Sequence, residues 1–137
     1  MKCVLSYKEV SEYIAAHYGK QVELRRIDSR TVGVKVAQKV ILATIRIPME
    51  ITVENVEDSR LEISYSGNAG VELIIKGALL VIREKLPQLA PMIIESNGNH
   101  LTIDLEKVDM AKALVENVRL MGVEFEESDI VVSASLK

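Results

Sequence analysis

Two periods alternate along the chain. Apolar side chains recur at helical spacing at Tyr7, Val10, Ile14 and Ala15, behind a Ser6 and Glu9 pair spaced as a capping box. Gly19 marks the predicted stop. From Val22 the period drops to two. Residues 22–27 and 31–36 read as a hairpin joined by Asp28-Ser29-Arg30, with Val32, Val34 and Val36 on one face. A longer alternation follows: Ile41, Ala43, Ile45, Ile47, Met49, Ile51 and Val53 fall on one side, and Thr44, Arg46, Pro48, Glu50, Thr52 and Glu54 on the other. Pro48 cannot donate to a ladder, so the strand should bend, bulge or run at an edge there. Glu57-Asp58-Ser59 is the next turn, and Leu61, Ile63 and Tyr65 lead back.

Residues 69–86 differ in kind. Glu72, Lys76 and Arg83 share one narrow stripe of a helix, and nearly everything else is aliphatic, the reverse of an ordinary surface helix. A fully buried aliphatic side chain is worth about 1.5–3 kcal/mol. Leaving half of Val71, Leu73, Ile74, Ile75, Leu79, Leu80, Val81 and Ile82 wet would therefore forgo about 6–12 kcal/mol, comparable with a domain's whole stability. The run predicts a central helix that needs cover from a curved sheet, a second copy or an apolar ligand. It is too short and too charged for a membrane span.

Pro87 and Pro91 bracket a passage without a clear period. Residues 92–96 and 100–105 flank Asn97-Gly98, the strongest hairpin signal in the chain. Leu101, Ile103 and Leu105 point one way, and His100, Thr102 and Asp104 the other. A helix is predicted over 108–116 with Met110, Ala113 and Leu114 on its apolar side, then strands over 118–126 and 129–136. Ile130, Val132, Ala134 and Leu136 form the buried face of the last one. The order αββ, ββ, αββ, αββ predicts an α+β fold in one domain over residues 1–137. Its extended, strongly curved antiparallel sheet, of about eight strands in hairpins, would pack around the central apolar helix, with two shorter helices beside it. In plan this resembles the tubular lipid-binding and sterol-carrier folds. No motif of those families is matched by residues here, so the likeness transfers no site.

Composition narrows the function more than it defines it. The chain has 137 residues, one phenylalanine, four tyrosines and no tryptophan, so its core must be built from Val, Ile and Leu. Few rings and a net charge of −3 leave neither the stacking platforms of a nucleic-acid binder nor a global field to attract nucleic acid or an acidic membrane surface. The charge is uneven: residues 20–46 carry seven basic side chains against two acids, and residues 49–72 six acids against one base. Pairing across neighbouring strands accounts for this. Cys3 stands alone, at what reads as a frayed terminus, which excludes a disulfide framework and a thiolate metal site. The opening residues turn charged at once and lack an apolar leader core, so a cytoplasmic protein is expected.

The search for chemistry returns little. His17 belongs near a helix end, where it can meet the last carbonyls, and His100 on a strand face. Glu126-Glu127 with Asp129 is a polar turn that lacks the glycine and ligand alternation of a calcium loop. No nucleophile elbow or phosphate loop occurs. Gly67-Asn68-Ala69-Gly70 reads as a turn of small residues that returns the helix to its sheet. Gly77 costs about 1 kcal/mol against alanine inside a helix, so it predicts close approach of a backbone or ligand. The expectation is a non-enzymatic soluble domain without cofactor or metal. It would bind an apolar or amphipathic, lipid-like molecule between helix and sheet. The walls would be Leu73, Ile74, Gly77, Ala78 and Val81 against Ile45, Ile47, Met49 and Ile51, with Arg46, Lys76 and Tyr65 at a polar entrance. The rival is a solid-cored structural or interaction domain that forms a homodimer through an exposed apolar surface or a strand edge near Pro48.

Overall fold

The capping box forms as its spacing predicts. The Glu9 N–H donates to the Ser6 hydroxyl at 3.0 Å, and the Ser6 N–H donates to the Glu9 carboxylate at 3.2 Å. Helix α1 (Tyr7–Tyr18) follows and stops at Gly19, which takes a left-handed φ of 65°. The computed structural model describes residues 1–68, 70–96 and 98–137; of Val40, Met110, Ala113, Leu114 and Val115 it describes the backbone.

Six strands form the larger antiparallel sheet: β2 (Val22–Arg26), β3 (Thr31–Val40), β4 (Ala43–Glu57), β5 (Arg60–Gly67), β6 (Ile93–Glu95) and β7 (His100–Asp104). Their spatial order is β2-β3-β4-β5-β7-β6. The hairpin over Asp28-Ser29-Arg30 is present, with Val32, Val34 and Val36 buried. Ile47, Met49, Ile51 and Val53 share their face, as the alternation requires. A bulge between Val53 and Asn55 shifts the phase before the turn at Asp58. Pro48 pairs with Lys35 on one side, while on the other β5 ends opposite Met49. The proline therefore sits where β4 becomes an edge.

The smaller sheet has the order β1-β9-β8, from β1 (Lys2–Ser6), β8 (Val118–Phe125) and β9 (Asp129–Leu136). Among the described residues there are thus nine strands in two sheets, one strand more than expected. The added strand is β1, and Cys3 lies within it opposite Val132 instead of in a frayed end. Its five residues show no clean alternation, and Val4 and Leu5 are exposed, which is why the pattern hid it. The two sheets are pinned by backbone bonds, Phe125 N–H to the Ser29 carbonyl at 2.8 Å and Leu120 N–H to the Asp58 carbonyl at 2.7 Å. The Arg26 guanidinium adds a bond to the Phe125 carbonyl at 2.9 Å.

Helix α2 (Val71–Lys85) is the predicted central helix, closed by the Leu86 N–H on the Ile82 carbonyl at 2.8 Å. Ala69, which the sequence reading includes, lies outside the described residues. Leu79 and Ile82 line a small hollow with Ala90 and Ile93 of the β6 edge, while the Lys85 ammonium lies 5.6 Å from the centre of the Tyr18 ring of α1. Three to six residues of helix span only about 5–9 Å. Helix α2 therefore bridges these two places above the sheet, whose curved inner face forms a trough. Val32, Val34, Val36, Met49 and Val53 fill that trough, together with Tyr7, Val71 and Phe125. Helix α2 packs on that core through Val71, Ile74 and Ile75, while its other side is exposed. The other expected helix is broken into tight turns at Leu105–Lys107 and Asp109–Ala111 and a short α3 (Lys112–Asn117). Its expected apolar side chains, Met110, Ala113 and Leu114, fall outside the described set. The turn at Asn97-Gly98 does join paired strands, Ile93 opposite Ile103 and Glu95 opposite Leu101, although Asn97 itself is outside the described residues.

Candidate functional site

Helix α2 begins seated hard on the sheet. A Cβ at Gly67 would stand 2.5 Å from the Val71 side chain and 3.0 Å from the Pro48 carbonyl, so glycine is what lets the first turn close down. Val71 and Leu79 are buried, and Ile74 and Ile75 pack against the core. At 100° per residue these directions centre on one side of the helix. On the opposite side Leu73 is 74% exposed and Leu80 53%. They stand two turns apart on one stripe, with Gly77 between them, and a Cβ at Gly77 would meet nothing within 4 Å. The close approach that Gly77 was expected to mark does not occur within this chain.

The expected walls are thus brought together only in part. Ile74 faces Ile47, Met49 and Ile51 across packed core, with Tyr65 against the same cluster. Val81 is half-buried, whereas Leu73, Lys76, Gly77 and Ala78 face solvent. Ile45 is 46% exposed, beyond the part of β4 that β5 covers. Arg46 lies on the reverse face of the sheet, a consequence of the period-two alternation, and holds Glu23 at 3.0 Å there. It cannot share an entrance with Lys76.

Recesses follow the same division. The hollow against α2, lined by Leu79, Ile82, Ala90 and Ile93 among others, has a volume of about 60 Å³, where a pocket for a small molecule takes roughly 300–1,000 Å³. A larger open trough of about 340 Å³ lies on the reverse face between Arg25, Lys35, Pro48, Glu50 and Asn68. Another of about 280 Å³ lies between α1 and that face. Their charged side chains are solvated, mixed in sign and on strand positions that point outward.

The titratable groups do structural work. Asp104 is buried, accepts from the Glu106 N–H at 3.1 Å and faces Arg60 at 3.5 Å, capping a turn after β7. The Tyr7 hydroxyl donates to the Glu126 carbonyl at 2.5 Å, and burial pushes its phenol above the ordinary 10.0 despite the opposing pull of Arg26. His17 stacks on Tyr13 with ring centres 4.0 Å apart, its Nδ1 3.1 Å from the Tyr13 carbonyl, as a histidine in the last helical turn should. Among the described residues, no group of three or more His, Cys, Asp or Glu side chains could hold a metal ion, and no buried side-chain polar atom lacks a partner. No helix among them is long and apolar enough to cross a membrane.

One exposed feature escaped the sequence reading. The strand pair β3–β4 runs as far as Val40 opposite Ala43, so Ile41 and Leu42 form its two-residue turn. The expectation placed Ile41 on the inner face of a strand. The turn carries none of the Gly, Asn or Asp residues that announce a hairpin. The only signal available was the matching of residues 31–40 to residues 43–52 about that point. No family model, no curated protein and no solved structure matches this chain.

Proposed function

We propose a non-enzymatic interaction domain that pairs with a second copy through the outer face of α2. The observation that carries this reading is the solvated pair Leu73 and Leu80, on one stripe with an open Gly77 between them. Water is a poor neighbour for such a stripe, and a missing side chain at its centre admits another backbone. The face is also self-complementary. Two such helices laid antiparallel about Gly77 set Leu73 against Leu80 of the second copy. Glu72 then comes near the other copy's Arg83, two charges with no ion pair of their own among the described residues. That is the reciprocal arrangement a two-fold interface needs. One helix face is small beside a stable interface of roughly 800 Å² per partner, so the expected dissociation constant is about 1–100 µM. An exposed, unpaired Cys3 suits the reducing cytoplasm.

Sedimentation equilibrium tests this. The chain should approach twice its mass of 15.2 kDa as concentration rises through the micromolar range, and Leu80→Asp should remain monomeric while melting as a folded protein. Glu72→Arg should weaken pairing and Glu72→Arg with Arg83→Glu restore it. A wild type that stays monomeric throughout, or a Leu80→Asp that still pairs, defeats the proposal. The hollow against α2 holds about 60 Å³, too little for a lipid chain. Solvent extraction of the purified protein followed by mass spectrometry should accordingly yield no stoichiometric lipid.

A further inference from the structure

The hairpin that joins β3 to β4 leaves the body of the molecule. On one side β2 begins opposite Val36, its last tie being the Ala37 N–H to the Gln21 carbonyl at 2.9 Å. On the other side β5 ends opposite Met49. The residues beyond form a two-stranded arm whose apex stands about 15 Å past Val36 at roughly 3.3 Å per residue. A ribbon of two strands is marginal in water by itself, and this one ends on the most exposed aliphatic pair among the described residues. Ile41 is 99% exposed and Leu42 96%, where the next highest values are 74%. Nothing in the fold of the monomer uses either side chain.

The charges of the arm have one sign. Lys39 and Arg46 are its only charged residues, and Lys20, Lys35 and Glu23 stand at its root. Arg46 is engaged by Glu23, whereas Lys39, the nearest to the apex, has no ion pair among the described residues. A convex tip of two side chains offers far less than the roughly 800 Å² that a protein partner contributes to a stable interface. It does suit a bilayer surface, where a few inserted apolar groups and a few basic residues suffice together. The spacing agrees as well. Lys39 lies about 7 Å behind the apex, so with Ile41 and Leu42 at the acyl boundary, about 5–10 Å deep, its ammonium reaches the phosphates. We infer that the arm docks this protein on an anionic membrane surface, Ile41 and Leu42 entering the acyl boundary and Lys39 meeting the headgroups.

Vesicle sedimentation is the test, with phosphatidylcholine alone or with about 30 mol% phosphatidylserine at about 0.1 M salt. The wild-type chain should sediment with the anionic vesicles. Ile41→Ser with Leu42→Ser should bind at least about tenfold more weakly, and Lys39→Glu about fivefold or more. Both Ser positions are solvated, so the double variant should keep its melting temperature. The chain has no tryptophan, so in Leu42→Trp the fluorescence reports the apex alone, and anionic vesicles should shift its emission to the blue. Equal sedimentation of wild type and double variant overturns the inference, as does an emission that vesicles leave unmoved. A blue shift produced by raising protein concentration without vesicles would make a second copy the occupant and overturn it too.

Discussion

Gly67 and Gly77 answer the same substitution in opposite ways. At Gly67 an added methyl group meets Val71 and the Pro48 carbonyl, and the backbone of β4 cannot retreat. Gly67→Ala should therefore cost about 1–3 kcal/mol and lower the melting temperature. At Gly77 the methyl group meets open space, so Gly77→Ala should stabilise the monomer by about 0.5–1 kcal/mol and yet weaken pairing, because it thickens the face that the second copy approaches. Thermal melts and sedimentation of that one variant separate the two effects. Tyr7 supplies a pH-dependent case. Its phenol is raised above 10.0, so folding favours the neutral form. The contribution is complete below that ordinary value and fades as pH rises through the folded-state one. Tyr7→Phe should flatten the alkaline limb of a denaturation series and cost about 1 kcal/mol at neutral pH, through the lost bond to Glu126.

Elements were legible in proportion to how local their signals are. Ser6 with Glu9, Gly19 and the alternation of Val32, Val34 and Val36 each act within a few residues, and each sits where the pattern put it. Pro48 announced an edge correctly because a missing N–H is a local fact. The face by which α2 meets its sheet is a non-local outcome. Glu72, Lys76 and Arg83 mark a charged stripe, and the simplest guess buries the side opposite to it. The helix instead buries the side of Val71, Ile75, Leu79 and Ile82, turned from that guess by roughly 95°. Leu73 and Leu80 come out into solvent as a result. Their place in the candidate site depends on which side of α2 meets the core, and that is set by residues far away in sequence. Leu80→Asp, which would unfold a wrapped helix, should on this arrangement shift the melting temperature by no more than a few degrees.

The molecule as a whole is held by its smaller sheet as much as by its larger one. Asp58 carries two of the links, the carbonyl bond from Leu120 and an ion pair with Arg119 at 3.0 Å, and Ser29 carries another through Phe125. A chain stopped before Asp129 loses the strand to which both β1 and β8 are bonded. It should show no cooperative transition in urea and a flattened near-ultraviolet circular dichroism spectrum. That central place of β9 has a consequence for how the protein is made. The Met1 nitrogen reaches the Ala134 carbonyl at 2.8 Å across 133 positions of sequence, so β1, which leaves the ribosome before the other strands described, must wait for β9, which leaves after them. Translation at about 5–20 residues per second keeps Val4 and Leu5 without their partner for several seconds, and the nascent chain is through that interval a client for whatever chaperone meets it first.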